Sequence, residues 1–137
     1  MNRLHTLLRI RKRAETLADG ELASATRTRL AAQEAYEELL RADAIVSTGP
    51  QPRSLPELLA LRMQGIAAQE ILTQAADTLE HRKLDEVDAR VARTAAAVRR
   101  RSVQRVVERR DAEQKLIAQH AARRALAELA RLSVAER

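Results

Sequence analysis

The side chains of this 137-residue chain that could carry chemistry are three histidines, 19 carboxylates and 25 Lys and Arg cations, with no cysteine among them. A bound zinc needs three or four ligands that converge at short spacing. His5, His81 and His120 stand far apart, and His81 sits between Glu80 and Arg82-Lys83, which reads as a solvated helix face. Without Cys there is neither disulfide nor thiolate chemistry. Gly20, Gly49 and Gly65 are isolated, so no glycine-rich loop cradles a phosphate. Glu37-Glu38 and Asp85-Glu86 fall on neighbouring positions of exposed helical surface, with nothing to pair them as acid and base. The expectation is a protein with no enzymatic activity, cofactor, metal or small-molecule substrate.

The cations offer a different chemistry, recognition of anionic surfaces. Net charge is +6, and it is segregated. Residues 1–13 hold five cations and no acid, 14–92 hold 8 against 14 acids, and 93–131 hold 11 against four. Arg99, Arg100, Arg101, Arg105, Arg109 and Arg110 form the densest run. That run has no interleaved aromatic for base stacking and no helix-turn-helix or zinc signature, so specific nucleic-acid binding is not expected. Non-specific phosphate attraction at low salt is.

The elements that present these charges are helical. Ala occurs 27 times, Arg 22 and Leu 19, whereas Gly and Pro total six and Tyr36 is the one aromatic residue. Strong helix formers without aromatics suit a long coiled coil better than a globule with a thick core. The breakers cluster at Ser47-Thr48-Gly49-Pro50-Gln51-Pro52-Arg53-Ser54. There Gly49 is suited to a left-handed helix end and Pro50 forbids continuation. Ser54-Leu55-Pro56-Glu57 reads as a capping box opening a second helix. The chain is therefore read as one all-α domain, 1–137, a long antiparallel two-helix coiled-coil hairpin with a longer second helix. Its first helix covers about 3–45, its loop 47–54, and its second helix about 55–132. No apolar run approaches the ~20 residues needed to cross a bilayer, and Met1 to His5 lacks the apolar stretch of a signal peptide; a cytoplasmic location is expected.

Apolar residues of the first helix recur at threes and fours through Leu4, Leu7/Leu8, Ala14, Ala18, Leu22, Ala25, Ala32, Tyr36 and Leu39/Leu40, interrupted by Arg11 and Arg29. The second helix follows Leu58, Leu61, Ala68, Leu72, Ala75/Ala76, Leu79, Val87, Val91, Thr94 and Val98, then slips phase before Val103 and Val107. Three pairs, Glu37/Arg41, Glu86/Arg90 and Asp111/Lys115, are spaced for helix-surface ion pairs. Folding about the loop pairs residues whose numbers sum to about 100, which sets Gly65 against Tyr36. Residues beyond about 97 are then left without a partner, although Val103 to Leu132 still carries an apolar stripe. An amphipathic helix in that state frays or binds something, a second copy through 100–132 included.

Two stretches and a terminal motif resemble FliJ-type flagellar export proteins. Leu4-His5-Thr6-Leu7-Leu8-Arg9-Ile10-Arg11-Lys12-Arg13-Ala14-Glu15 is similar to that family's opening, a leucine cluster before an Ile/Leu-Arg-Lys stretch and an acid. Val107-Glu108-Arg109-Arg110-Asp111-Ala112-Glu113 resembles its Leu-x-Glu-Arg-Arg-x-x-Glu segment. Leu126-Ala127-Glu128-Leu129-Ala130 is similar to its terminal Leu-Asp-Glu-Leu/Ile-Ala motif, with Ala127 in place of the usual acid. The resemblance implies a cytoplasmic component of the flagellar type III export apparatus, peripherally associated with the membrane at the flagellar base. It implies a two-helix stalk and chaperone that meets the hexameric export ATPase, the export-gate membrane protein and substrate chaperones. Arg109, Arg110, Glu113, Leu126, Leu129 and Leu132 are the contacts it implies. Other expectations are a virulence-type secretion stalk, a rotary-ATPase stalk subunit, a structural coiled coil and a basic nucleoid-associated rod.

Overall fold

The computed structural model describes residues 3–135. It contains two helices, α1 Arg3–Ser47 and α2 Leu55–Ala135, joined by residues 48–54. The chain is all-α, and the second helix is the longer, 81 residues against 45. Both helices outrun the expected ends by two or three residues; residues 1–2 and 136–137 of the expected domain lie outside the described residues. The chain divides into two compact units: a loop unit, residues 16–94, and a terminal unit in which residues 3–15 accompany 95–135.

In the loop unit α1 ends without a left-handed residue, contrary to the role expected of Gly49: no glycine has positive φ. The last carbonyls are taken up locally instead. Thr48 N donates to Ala44 O, Gly49 N donates to Val46 O at 3.2 Å, and Ser47 Oγ donates to Asp43 O. A Cβ on Gly49 would itself lie 3.2 Å from Val46 O, so the site favours glycine by close approach. Pro50 then blocks a further turn. The capping box forms with a shift: Glu57 N donates to Ser54 Oγ at 3.4 Å, while the Glu57 carboxylate accepts from Arg53 N at 2.7 Å, one residue earlier than expected. The charge-assisted bond is the shorter and stronger of the two. Glu57→Ala is therefore expected to cost about 1 kcal/mol and Ser54→Ala about 0.5 kcal/mol, read as shifts of the thermal midpoint.

Cross-helix ion pairs fix the register. Arg29 Nε lies 2.5 Å from Glu86 Oε2 and Arg93 Nε donates to Asp19 Oδ1 at 2.8 Å, so paired numbers sum to 115 and 112. The expected sum of 100 is wrong. The physical reason lies in the loop. At a sum near 115 the level of Ser47 is that of residue 68, while α2 begins at Leu55, thirteen residues or about 20 Å further on. Seven residues reach about 25 Å only when extended, and Pro50 and Pro52 bias themselves and their predecessors to extended backbone. The connection is thus a strap along the start of α2 in place of a tight turn. Gly65 accordingly lies near the strap, and Tyr36 shares a shallow hollow with Leu72, Thr73 and Ala76.

The seam of the loop unit keeps a repeat of threes and fours. On α1 it passes through Ala18, Leu22, Ala25, Arg29, Ala32, Tyr36, Leu39 and Asp43, all buried or half-buried. On α2 it passes through Ala68, Leu72, Ala75, Leu79, Glu86 and Ala89. Val87, Val91, Thr94 and Val98, expected in the seam, are exposed, with each valine more than half accessible. The seam leaves the valines because it contains a charged layer. Glu86 accepts from Thr26 Oγ1 at 3.4 Å and Arg90 at 3.0 Å besides facing Arg29.

In the terminal unit the same repeat occupies Ala96, Arg100, Val103 and Val107 on α2 and Leu4, Leu8, Arg11 and Glu15 on α1. Arg100 pairs with Glu15, and His5 Nε2 stands 3.4 Å from Asp111 Oδ2, sums of 115 and 116. No phase slip occurs at 98–103, because Ala89, Ala96 and Val103 are spaced by sevens. Asp111 faces His5 across the seam where a pair with Lys115 was expected, whereas Glu37 with Arg41 and Glu86 with Arg90 do pair. Beyond Asp111 every described residue of α2 is exposed.

Candidate interaction surfaces

The terminal unit holds the run of arginines and the apolar residues beyond it. Its described residues carry 15 cations and five acids, whereas the loop unit carries nine and 13. Helical spacing decides which arginines face outward. Arg100 occupies a seam position, ion-paired with Glu15, and its Nη1 donates to Gln104, whose amide donates in turn to Glu108. Its guanidinium is spent inside the fold, so Arg100 is a seam residue and not a docking contact. Arg99, Arg101, Arg105, Arg109, Arg110 and Glu113 are exposed. Arg101, Arg105 and Arg109 follow one another at spacings of four, a single stripe of positive charge. Arg11 stands opposite in character: its Nε is buried and, among the described residues, has no hydrogen-bond partner.

Leu126, Leu129 and Leu132 are 67%, 63% and 63% exposed. The stretch without an internal partner is therefore real, but it begins after Asp111 and not after Val98. About 24 residues are affected, where the expected register left 35–40. Among the described residues no helix is long and apolar enough to cross a membrane, and no group of three or more His, Cys, Asp or Glu side chains could hold a metal.

The loop unit has a concavity that was not expected from the sequence. A groove of about 580 Å³ opens where the strap crosses α2, walled by Leu39, Val46, Pro52, Leu61, Gly65 and Ile71 among others. Its sequence signal was the start of α2, where Leu55, Leu58, Leu59, Leu61, Met63 and Ile66 put apolar groups on more faces than one seam consumes.

No family model, no curated protein and no solved structure matches this chain.

Proposed function

We propose that the chain is a non-enzymatic coiled-coil component of the bacterial flagellar type III export apparatus. In this reading it is a stalk and general chaperone that couples the export ATPase ring to the export gate and helps recycle substrate chaperones. It works in the cytoplasm, peripherally at the membrane of the flagellar base. The observation that carries the reading is where the family-like segments fall. Arg109 and Arg110 of one are exposed outside the seam on the last turn that pairs with α1, and Glu113 of the same segment with Leu126 and Leu129 of the other are exposed on the part of α2 beyond Asp111. Structural coiled-coil residues would be expected in the seam. Val107, which opens the first segment, is the exception: it is buried in the seam.

The test is association of the purified chain with the cognate export ATPase hexamer and stimulation of its hydrolysis. Arg109→Ala with Arg110→Ala is expected to weaken binding at least about tenfold, each exposed anchor contributing on the order of 1 kcal/mol. Helicity should not change, since both side chains lie outside the seam. Failure to bind the hexamer at physiological salt, or DNA binding that survives that salt, overturns the reading.

A further inference from the structure

The seam repeat, carried past Val107 without change, would run through Arg110, Gln114, Ile117, Ala121, Arg124, Glu128 and Arg131. Five of those seven positions are polar, so this face is no continuation of the seam. The apolar positions lie one residue later: Ala118, Ala122, Ala125, Leu129 and Leu132, again at threes and fours. Two successive spacings of four, from Val107 to Asp111 to Lys115, make the change. A one-residue shift turns the apolar face by about 100° around the helix. What covers 115–135 therefore approaches from a different side than α1 does.

The order of side chains on this face selects its occupant. Small residues occupy its first half and leucines its second. Laid antiparallel on a copy of itself about a two-fold axis at Ala125, the stretch sets Ala118 against Leu132 and Ala122 beside Leu129, small against large in the layers on either side of the Ala125 pair at the axis. On the flank, Arg124 of each copy comes within two residues of the level of Glu128 of the other, giving two opposite-charge pairs about the axis. A parallel arrangement would instead face Arg124 with Arg124 and Ala118 with Ala118, stacking like charges and leaving gaps. The antiparallel overlap covers about 30 Å of helix and lies wholly within the residues that α1 leaves uncovered.

We propose that residues 115–135 pair antiparallel with the same stretch of a second copy of this chain, making a two-fold dimer through the Ala118–Leu132 face. This does not rest on the export reading; any foreign helix that takes this face displaces the second copy.

The full chain, which has no native cysteine, suits cross-linking. Light scattering at tens of micromolar should give twice the 15.3 kDa chain mass, and Leu129→Glu should return it to one chain with helicity retained. Arg124→Glu should raise the dissociation constant about tenfold, and adding Glu128→Arg in the same chain should restore it, a rescue that simple loss of packing cannot produce. Mixing Ala118→Cys with Leu132→Cys chains should give the mixed disulfide in excess over either homodisulfide. A single-chain mass across the concentration range overturns the proposal. So does a dimer indifferent to Leu129→Glu, or one in which Ala118→Cys cross-links chiefly to itself.

Discussion

Glu86→Ala is expected to lower the stability of the loop unit by about 2–4 kcal/mol, read as a lower urea midpoint at unchanged m-value. The Glu86 side chain is 11% exposed and faces Arg29, itself 23% exposed, at 2.5 Å, an ionic contact outside hydrogen-bond geometry. It also accepts hydrogen bonds from Arg90 and Thr26. Truncation strands the Arg29 guanidinium in the seam, and stranding one partner of a buried pair costs about 3–5 kcal/mol. The lower figure applies because a side chain as long as arginine keeps some route to water along its own stem. Glu86→Gln keeps the volume and an acceptor, so its cost should fall below that of Glu86→Ala. Arg29→Leu with Glu86→Leu together should be neutral or stabilising, since a fitted apolar layer avoids the desolvation of two charges. What that double variant loses is a constraint on sliding. With the charged layer gone, an Ala-rich seam accepts displacement by a heptad more readily, which cysteine pairs placed at a sum of 115 would report as extra cross-linked species.

That charged layer also explains how much of the fold could be read in advance. Helix type, the break at 48–54 and the cap at Ser54–Glu57 were legible because each depends on local residues: Pro50, Pro52, Ser54 and Glu57 act within a turn of their own position. Register was not legible, because it depends on whether seven loop residues turn tightly or run extended, and the two alternatives differ by about 15 in the sum of paired numbers. The face of α2 over 87–98 was misread for a related reason. Apolarity marks a seam only where the seam is apolar, and here Glu86 and Arg100 occupy seam positions that each become tolerable only beside Arg29 and Glu15. A single helix does not reveal such pairing. Once the register is known, the valines at 87, 91 and 98 fall outside and alanines fall inside.

The candidate contacts divide along the same line. Arg99, Arg101, Arg105, Arg109, Arg110 and Glu113, singled out by charge density or by the resemblance, are exposed. Arg100 lies in the middle of a triplet whose neighbours both point outward, and only the cross-helix carboxylate of Glu15 distinguishes it. The unpartnered stretch was foreseen in kind, but its start depended on register and moved from 98 to 112. The phase slip expected before Val103 is absent, because Ala89, Ala96 and Val103 keep the seam at spacings of seven. The apolar positions of 118–132 fall out of step with the seam only beyond Val107, where the α1 pairing ends, and the dimer proposed above takes them as a change of partner face.

Leu79→Asp is expected to have the largest effect of any single substitution in the loop unit, about 4 kcal/mol or more. Leu79 is 7% exposed, and the other buried apolar side chains among the described residues are Ala18, Ala97 and Val107, so no larger side chain shares its burial. Its removal deletes a leucine's share of a thin seam, and the new carboxylate arrives where cations are already engaged. Arg82 lies against Asp85 and Lys83 against Glu80, and the unit's acids outnumber its cations, 13 to nine. Leu79→Ala should cost about 2–3 kcal/mol, near the low end for such truncations because a two-helix seam partly collapses or hydrates. Leu79→Met should cost less than about 1.5 kcal/mol. The readout matters as much as the order. An α2 of 81 residues, rich in Ala, Leu and Arg, retains part of its helicity even when unpaired, so circular dichroism alone would understate the damage. Amide hydrogen exchange separates the two contributions: Leu79→Asp should strip protection from the loop unit's residues 16–94 while much of the helical signal persists. Equal loss of helicity and protection would mean that helix formation in this unit depends on pairing throughout, and that the seam, thin as it is, supplies nearly all of its order.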